Sequence, residues 1–124
     1  MPLHVGEDRS RTWVLQRTEK GLNFQHIHLH QDGSVDAVSP YGGHTAENGT
    51  ESLQSFPVDA ASKTLFEENG LAVSTQNTWR LGFPSADTMS YELTRPNRSF
   101  IVHVDLSQPI AEPPPAWGYL PSAK

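Results

Sequence analysis

The chain has 124 residues, no cysteine and a formal net charge of −5 at pH 7. These values exclude structural disulfides and cysteine-ligated metal centres, and an acidic chain without a basic patch is not expected to bind nucleic acid. A chain of this length is typical of one domain with one core, so we treat residues 1–124 as a single domain.

The sequence lacks the apolar segments that direct a chain to a membrane. It has no run of about 18 apolar residues, as a membrane-spanning helix needs. Residues 1–11 are polar and lack the apolar centre of a signal peptide. We therefore expect a soluble, cytoplasmic protein with no membrane partner.

The first third of the chain predicts an antiparallel β-meander. Residues 1–10 are interpreted as a flexible lead-in, and strands are predicted over residues 11–17, 22–30 and 35–41. The strong hairpin signal Asp32-Gly33 separates the last two strands. Residues 42–50 are rich in glycine and polar residues, which is typical of a mobile loop.

One central α-helix is predicted at residues 59–69, after a short strand at 53–56. Asp59 is a good N-cap, and Gly70 stands where a C-terminal glycine closes a helix. Further strands are predicted at 71–75 and 78–83, and a hairpin joins 88–95 to 98–106 with Tyr91 opposite Val102.

These elements predict an α+β fold with a proline-rich tail. The meander is followed by the helix and by further antiparallel strands, which form a twisted sheet or a half-barrel, with a closed barrel as the alternative. Residues 107–124 contain the run Pro113-Pro114-Pro115, which cannot supply regular ladder hydrogen bonds. We expect this tail to pack across the sheet, and a proline-rich recognition segment is the alternative.

The most informative stretch is Gln25-His26-Ile27-His28-Leu29-His30. Alternate residues of a strand share a face, so the three histidines are expected to line one face. A tip at residues 19–20 would place His26 opposite Trp13, and Phe24 on the same face. The histidines would then form one wall of a pocket, with His26 innermost and His30 most exposed.

This arrangement favours a binding module, and the sequence indicates no certain cofactor for it. An aromatic face with a histidine rim suits a small ligand or a protein partner, including a second copy of the chain. The predicted ligand-binding residues are Trp13, Phe24, His26 and His28.

The alternative is a metal-dependent enzyme or a metal carrier. Neutral imidazoles two residues apart on a strand suit zinc, nickel, copper or iron as a shared ligand set. The predicted metal ligands are the three alternating histidines His26, His28 and His30, which we call the histidine stripe, and His44 of the following loop. The sequence leaves open whether the protein is an enzyme.

Overall fold

The computed structural model describes residues 1–119 and begins with a four-stranded antiparallel sheet. This first sheet has the order β1-β2-β3-β4, with strands β1 (Pro2–Val5), β2 (Asp8–Thr18), β3 (Gly21–His28) and β4 (Tyr41–His44). The predicted register of its central hairpin is confirmed, because Trp13 pairs with His26 and Leu15 pairs with Phe24.

The expectation of a flexible lead-in is wrong. Strand β1 pairs with β2, with Leu3 opposite Arg11. The Trp13 N–H also donates to the Met1 carbonyl at 2.8 Å. Strand β2 starts at Asp8, three residues earlier than predicted. The backbone groups of its first half therefore pair with those of β1.

The predicted third strand is also displaced. Residues 35–41 are mostly irregular because side chains take the hydrogen bonds of a regular ladder. Asp36 accepts from the Val38 N–H at 2.9 Å, and the Ser39 hydroxyl accepts from the His28 N–H at 3.0 Å. On its other edge β3 pairs with β4, so that Tyr41 lies opposite His26. Strand β4 extends into the segment predicted to be a mobile loop.

The central helix is confirmed as α1 (Ala60–Glu68). Asp59 accepts from the Ser62 N–H at 2.7 Å, which caps the first turn. At the other end the Leu71 N–H donates to the Phe66 carbonyl and Gly70 has a φ of 72°, as in a Schellman motif. Within residues 1–119 no helix is both long enough and apolar enough to span a membrane.

The chain after α1 departs from the predicted pattern in one element. Residues 71–75, predicted as a strand, fall mostly in a short 3₁₀ helix (Ala72–Gln76). The second sheet is antiparallel and has the order β5-β6-β7-β8, with strands β5 (Leu53–Pro57), β6 (Thr78–Ser85), β7 (Thr88–Arg95) and β8 (Arg98–Asp105). Tyr91 pairs with Val102, as predicted for the last hairpin.

The two sheets pack face to face around aromatic side chains. Trp13 of the first sheet stacks on Tyr91 of the second, with ring centroids 4.3 Å apart. Phe24 contacts Phe56 across the same space, at 5.3 Å between centroids. The predicted α+β class is confirmed, and the second set of strands forms a sheet of its own.

The sheets are joined where β4 crosses the end of β5. Gly43 forms an isolated antiparallel bridge with Val58, and the Asp59 N–H donates to the Gly42 carbonyl at 2.9 Å. A Cβ atom at Gly43 would collide with the Pro57 carbonyl oxygen. The close approach of the two backbones therefore requires glycine at this position.

The described part of the proline-rich tail contacts the start of β2. Arg9 donates through Nη1 to the Pro115 carbonyl at 2.8 Å, and its own carbonyl accepts from the Trp117 N–H at 2.9 Å. Ala116 between them is buried. Residues 120–124, which also belong to the predicted tail, lie outside the described residues.

Replacing Gly43 by alanine should destabilise the protein by at least about 3 kcal/mol, because the new methyl group meets backbone atoms that cannot rotate away. Denaturant unfolding followed by circular dichroism measures the loss. Gly70→Ala is the matched control, since a Cβ there meets open space and the cost is about 1 kcal/mol for the positive φ. Equal losses in the two variants would contradict this account of the joint between the sheets.

Candidate ligand-binding cavity between the sheets

The histidine stripe shows the predicted gradient of exposure. His26 is 2% exposed, His28 is half-buried and His30 is exposed. The three rings nevertheless contact different partners, because the stripe runs from the core to the surface. Each histidine is therefore considered separately.

His26 is a core residue with both ring nitrogens hydrogen-bonded. Its Nδ1–H donates to the Tyr41 carbonyl at 3.0 Å, since a carbonyl oxygen only accepts. The neutral ring then accepts the hydroxyl hydrogen of Tyr91 on Nε2 at 2.9 Å. Burial lowers the pKa of His26 to about 4, so the ring is neutral at pH 7.

His28 and His30 share one carboxylate at the surface. His30 Nε2 lies 3.0 Å from Asp36 Oδ1, and His28 Nδ1 lies 3.7 Å from Asp36 Oδ2. The Val38 N–H and the two imidazoles favour the charged form of Asp36 and lower the pKa of its carboxyl group. Burial, followed by the charge of Arg11, lowers the pKa of His28.

His44 does not join the stripe. It pairs with Asn23, so it lies on the opposite face of the first sheet from His26. Its ring bonds Thr18 and the Thr45 carbonyl. Within residues 1–119 no group of three or more His, Asp or Glu side chains has a geometry suited to a metal ion. The four predicted metal ligands are thus not brought together.

Three of the predicted ligand-binding residues lie in the core. Trp13 is 3% exposed and Phe24 is fully buried, and their rings, like that of His26, pack against other aromatic rings. The second sheet covers the face on which they lie, and the sequence did not reveal that cover. His28 alone of the predicted set lines a cavity.

This cavity has a volume of about 420 Å³ and opens at one end of the space between the sheets. We refer to it as the arginine mouth. Its walls combine aromatic and aliphatic side chains with three arginines, one carboxylate and small polar groups: Arg11, His28, Asp36, Val38, Tyr41, Phe66, Leu71, Ser74, Asn77, Trp79, Tyr91, Leu93, Arg95 and Arg98.

The arginines extend the inner faces of both sheets beyond the aromatic core. On β7, Arg95 follows Tyr91 at alternate positions, and it lies directly opposite Arg98 of β8. On β2, Arg11 precedes Trp13 by two residues and lies opposite His28. Strand alternation therefore places the three side chains on inner faces, and all three line the same cavity.

Two of these arginines are held by neighbouring polar groups. Arg11 Nη1 lies 3.2 Å from Asp8 Oδ2. Arg95 Nη1 donates to the Ser74 hydroxyl at 3.3 Å and lies 3.5 Å from Asn77 Oδ1. Arg98 is exposed at the start of β8. The described lining therefore holds three guanidinium groups and the carboxylate of Asp36, with the carboxylate of Asp8 beside Arg11, in a chain of net negative charge.

The sequence alone indicates part of this cluster of arginines. Two arginines flank the predicted turn Pro96-Asn97, and the hairpin register already places them opposite each other. Their convergence with Arg11 could not be read from the sequence, because it depends on how the two sheets face each other.

Comparison with models of protein families, with curated proteins and with solved structures finds no match. The functional argument therefore rests on the geometry of the cavity.

The free energy of unfolding should fall by roughly 3 kcal/mol between pH 6.5 and pH 4 through His26 alone, from a pKa of about 4 in the folded state and 6.5 in the unfolded state. Above pH 6.5 the ring is neutral in both states and the contribution is complete. As the pH falls, the unfolded chain binds a proton that the folded chain excludes. Denaturant unfolding at stepped pH measures this slope.

The control is His26→Gln, whose side chain donates and accepts hydrogen bonds but does not titrate. Its overall stability is expected to be lower, yet the slope between pH 6.5 and pH 5 should flatten. An unchanged slope would show that other groups cause the acid sensitivity.

Proposed function

We propose that the protein is a binding module for a small organic anion that has an apolar body and is held in the arginine mouth. The observation that carries this proposal is the direct opposition of Arg95 and Arg98 on the inner face of the β7–β8 hairpin, with Arg11 at the same end of the molecule. The predicted histidine rim enters this proposal through His28.

The opposed arginines favour an anionic ligand on energetic grounds. Like charges directly opposite each other destabilise a strand pair. A carboxylate, sulfonate or phosphate group between them would remove that repulsion and form charge-assisted hydrogen bonds. Guanidinium groups suit this role because their planar N–H donors match the oxygens of such groups.

The remaining walls support an apolar body for the ligand. Phe66, Leu71 and Leu93 line the cavity beside the aromatic residues Tyr41 and Trp79. The volume of about 420 Å³ is within the range of small-molecule sites, which are commonly about 300–1,000 Å³. An anion whose apolar body has one to three rings or a short branched chain fits these dimensions better than a bare inorganic ion.

The geometry gives the metal-dependent alternative less support. The ring nitrogens of His26 bond Tyr41 and Tyr91, and His44 lies on the opposite face of its sheet. Binding of an anion needs only the residues that already converge. The proposal therefore concerns recognition and assigns no reaction.

Arg98→Gln and Arg95→Gln should each weaken binding of benzenedisulfonate by about 10- to 100-fold, as expected for loss of a hydrogen bond to a charged group. Isothermal titration calorimetry measures the affinity. Arg17→Gln is the matched control, because it removes the same charge from the far end of β2 and should leave binding unchanged. Equal binding of the neutral analogue benzenesulfonamide, or no effect of the cavity variants, would contradict the proposal.

Benzenedisulfonate should bind about fivefold more tightly at pH 5 than at pH 7.5, on the order of 1 kcal/mol for one added charge near the ligand. The pKa of His28 is lowered by burial, so the ring is neutral at pH 7.5, and a proton that it takes up in more acidic solution adds a positive charge to the lining. Asp36 stays ionised over this range because its pKa is lowered.

The matched variant His28→Gln tests the source of this pH dependence. It should bind the disulfonate with nearly the same affinity at both pH values, since the ligand itself does not titrate there. A pH dependence that persists in this variant would assign the effect to another group.

A further inference from the structure

A second cavity opens at the opposite end of the space between the sheets. It has a volume of about 300 Å³, and we refer to it as the apolar mouth. Its lining combines the ends of β2 and β3 that lie away from the arginine mouth with residues of β5 to β7, and its apolar side chains include Leu15, Leu53, Phe83 and Met89. The stacked rings of Trp13 and Tyr91 are not part of its lining, and they lie between the two mouths.

The apolar mouth exposes side chains that folding normally buries. Leu15 is 44% exposed, Leu53 is 45% exposed and Phe83 is 49% exposed, and all three line this one cavity. Scattered exposed hydrophobic residues are ordinary, but a concave cluster of them is typical of a binding site. Covering this cluster with an apolar ligand would be favourable by about 25 cal/mol per Å² of buried apolar surface.

Backbone hydrogen bonds hold the wall of the apolar mouth in place. The β6–β7 ladder is irregular between Gly82 and Ser85, so Phe83 leaves the regular pairing. Its N–H donates instead to the Ser52 carbonyl at 2.9 Å. The turn before β5 is closed by the Thr50 N–H, which donates to the Leu53 carbonyl at 2.9 Å. The cavity is therefore preformed, and irregularities of this kind often re-aim a side chain at a functional site.

The electrostatic character of the apolar mouth is opposite to that of the arginine mouth. Among the described side chains that line it, the one charged group is the carboxylate of Glu51. The α-amino group of Met1, which also lines the cavity, donates to the Trp13 carbonyl at 2.8 Å. A carboxylate, sulfonate or phosphate would therefore lose its hydration there without gaining an arginine or lysine partner. An anionic ligand is disfavoured in this cavity.

We propose that the apolar mouth is a second binding site, specific for a small neutral apolar molecule such as a hydrocarbon ring system or a short alkyl chain. An engineered cavity of about 150 Å³ is sufficient to hold benzene. The volume of about 300 Å³ accordingly sets the size limit near two or three fused or linked rings. Most of its lining side chains are aliphatic or aromatic, and methionine stands at two positions where a flexible side chain adapts to ligand shape.

The test uses two fluorophores that share a ring system and differ in charge. N-phenylnaphthylamine is neutral, and anilinonaphthalene sulfonate carries one sulfonate. The neutral probe should bind one site per chain with a blue-shifted emission, and Leu53→Gln should weaken its binding at least about tenfold, since a polar group replaces an apolar wall. Ile101→Gln is the matched control, because Ile101 is 47% exposed and lies outside this cavity.

A second variant fills the cavity instead of changing its polarity. Leu15→Trp places a larger apolar side chain at a position that is already half exposed, so the fold should tolerate it. It should reduce the number of neutral probe molecules bound per chain toward zero while the unfolding midpoint stays close to that of the wild type. Unfolding midpoints measured for all three variants separate loss of binding from loss of structure.

This experiment tests the proposals for the two cavities independently of each other. Arg98→Gln should weaken binding of the sulfonate probe, and Leu53→Gln should leave it unchanged. Leu53→Gln should weaken binding of the neutral probe, and Arg98→Gln should leave it unchanged. The proposal for the apolar mouth is overturned if the neutral probe does not bind, or if it binds the Leu53→Gln and Leu15→Trp variants as it binds the wild type. It is also overturned if sedimentation velocity shows a dimer that Leu53→Gln dissociates, because a second copy would then cover the cavity.

Discussion

The stacked rings of Trp13 and Tyr91 are the contact on which the rest of the structure depends. They join the two sheets at their centre, with centroids 4.3 Å apart and planes within 11° of parallel. Aromatic pairs of this kind add about 0.5–1.5 kcal/mol to the burial of their surfaces. His26 completes the layer, because its neutral ring links Tyr91 of the second sheet to the Tyr41 carbonyl of the first. A polar ring is stable in this position since neither nitrogen is left without a partner.

This central layer divides the space between the sheets into two ends of different character. Each inner face continues outward from the layer by strand alternation. In one direction the faces reach Arg11 on β2 and, beyond Leu93, Arg95 on β7, and in the other direction they include Leu15 and Met89. Side chains too polar for the core thus collect at one mouth, and aliphatic side chains collect at the other. The same fold consequently offers two concave surfaces of different polarity, for which we propose different ligands.

Local signals were sufficient to predict much of the fold. The helix was correct within one residue at each end, because Asp59 and Gly70 act through backbone hydrogen bonds and φ values that neighbouring residues determine. The pairing of Trp13 with His26 followed from turn length alone. The predicted third strand failed, since hydrogen bonds from Asp36 and Ser39 to the backbone replaced the expected ladder.

The sequence by itself determined the α+β class, the registers of the first and last hairpins and the order of exposure along His26, His28 and His30. These properties depend on strand alternation and on contacts between residues that are close in the chain. Only the tertiary structure decided which faces are covered. It placed Trp13, Phe24 and His26 in the core, because the second sheet lies over them, and it brought Arg11 to the same cavity as Arg95 and Arg98. The physical reason is that the packing of one sheet on another depends on the summed shape of both faces, which alternation within a single strand does not specify.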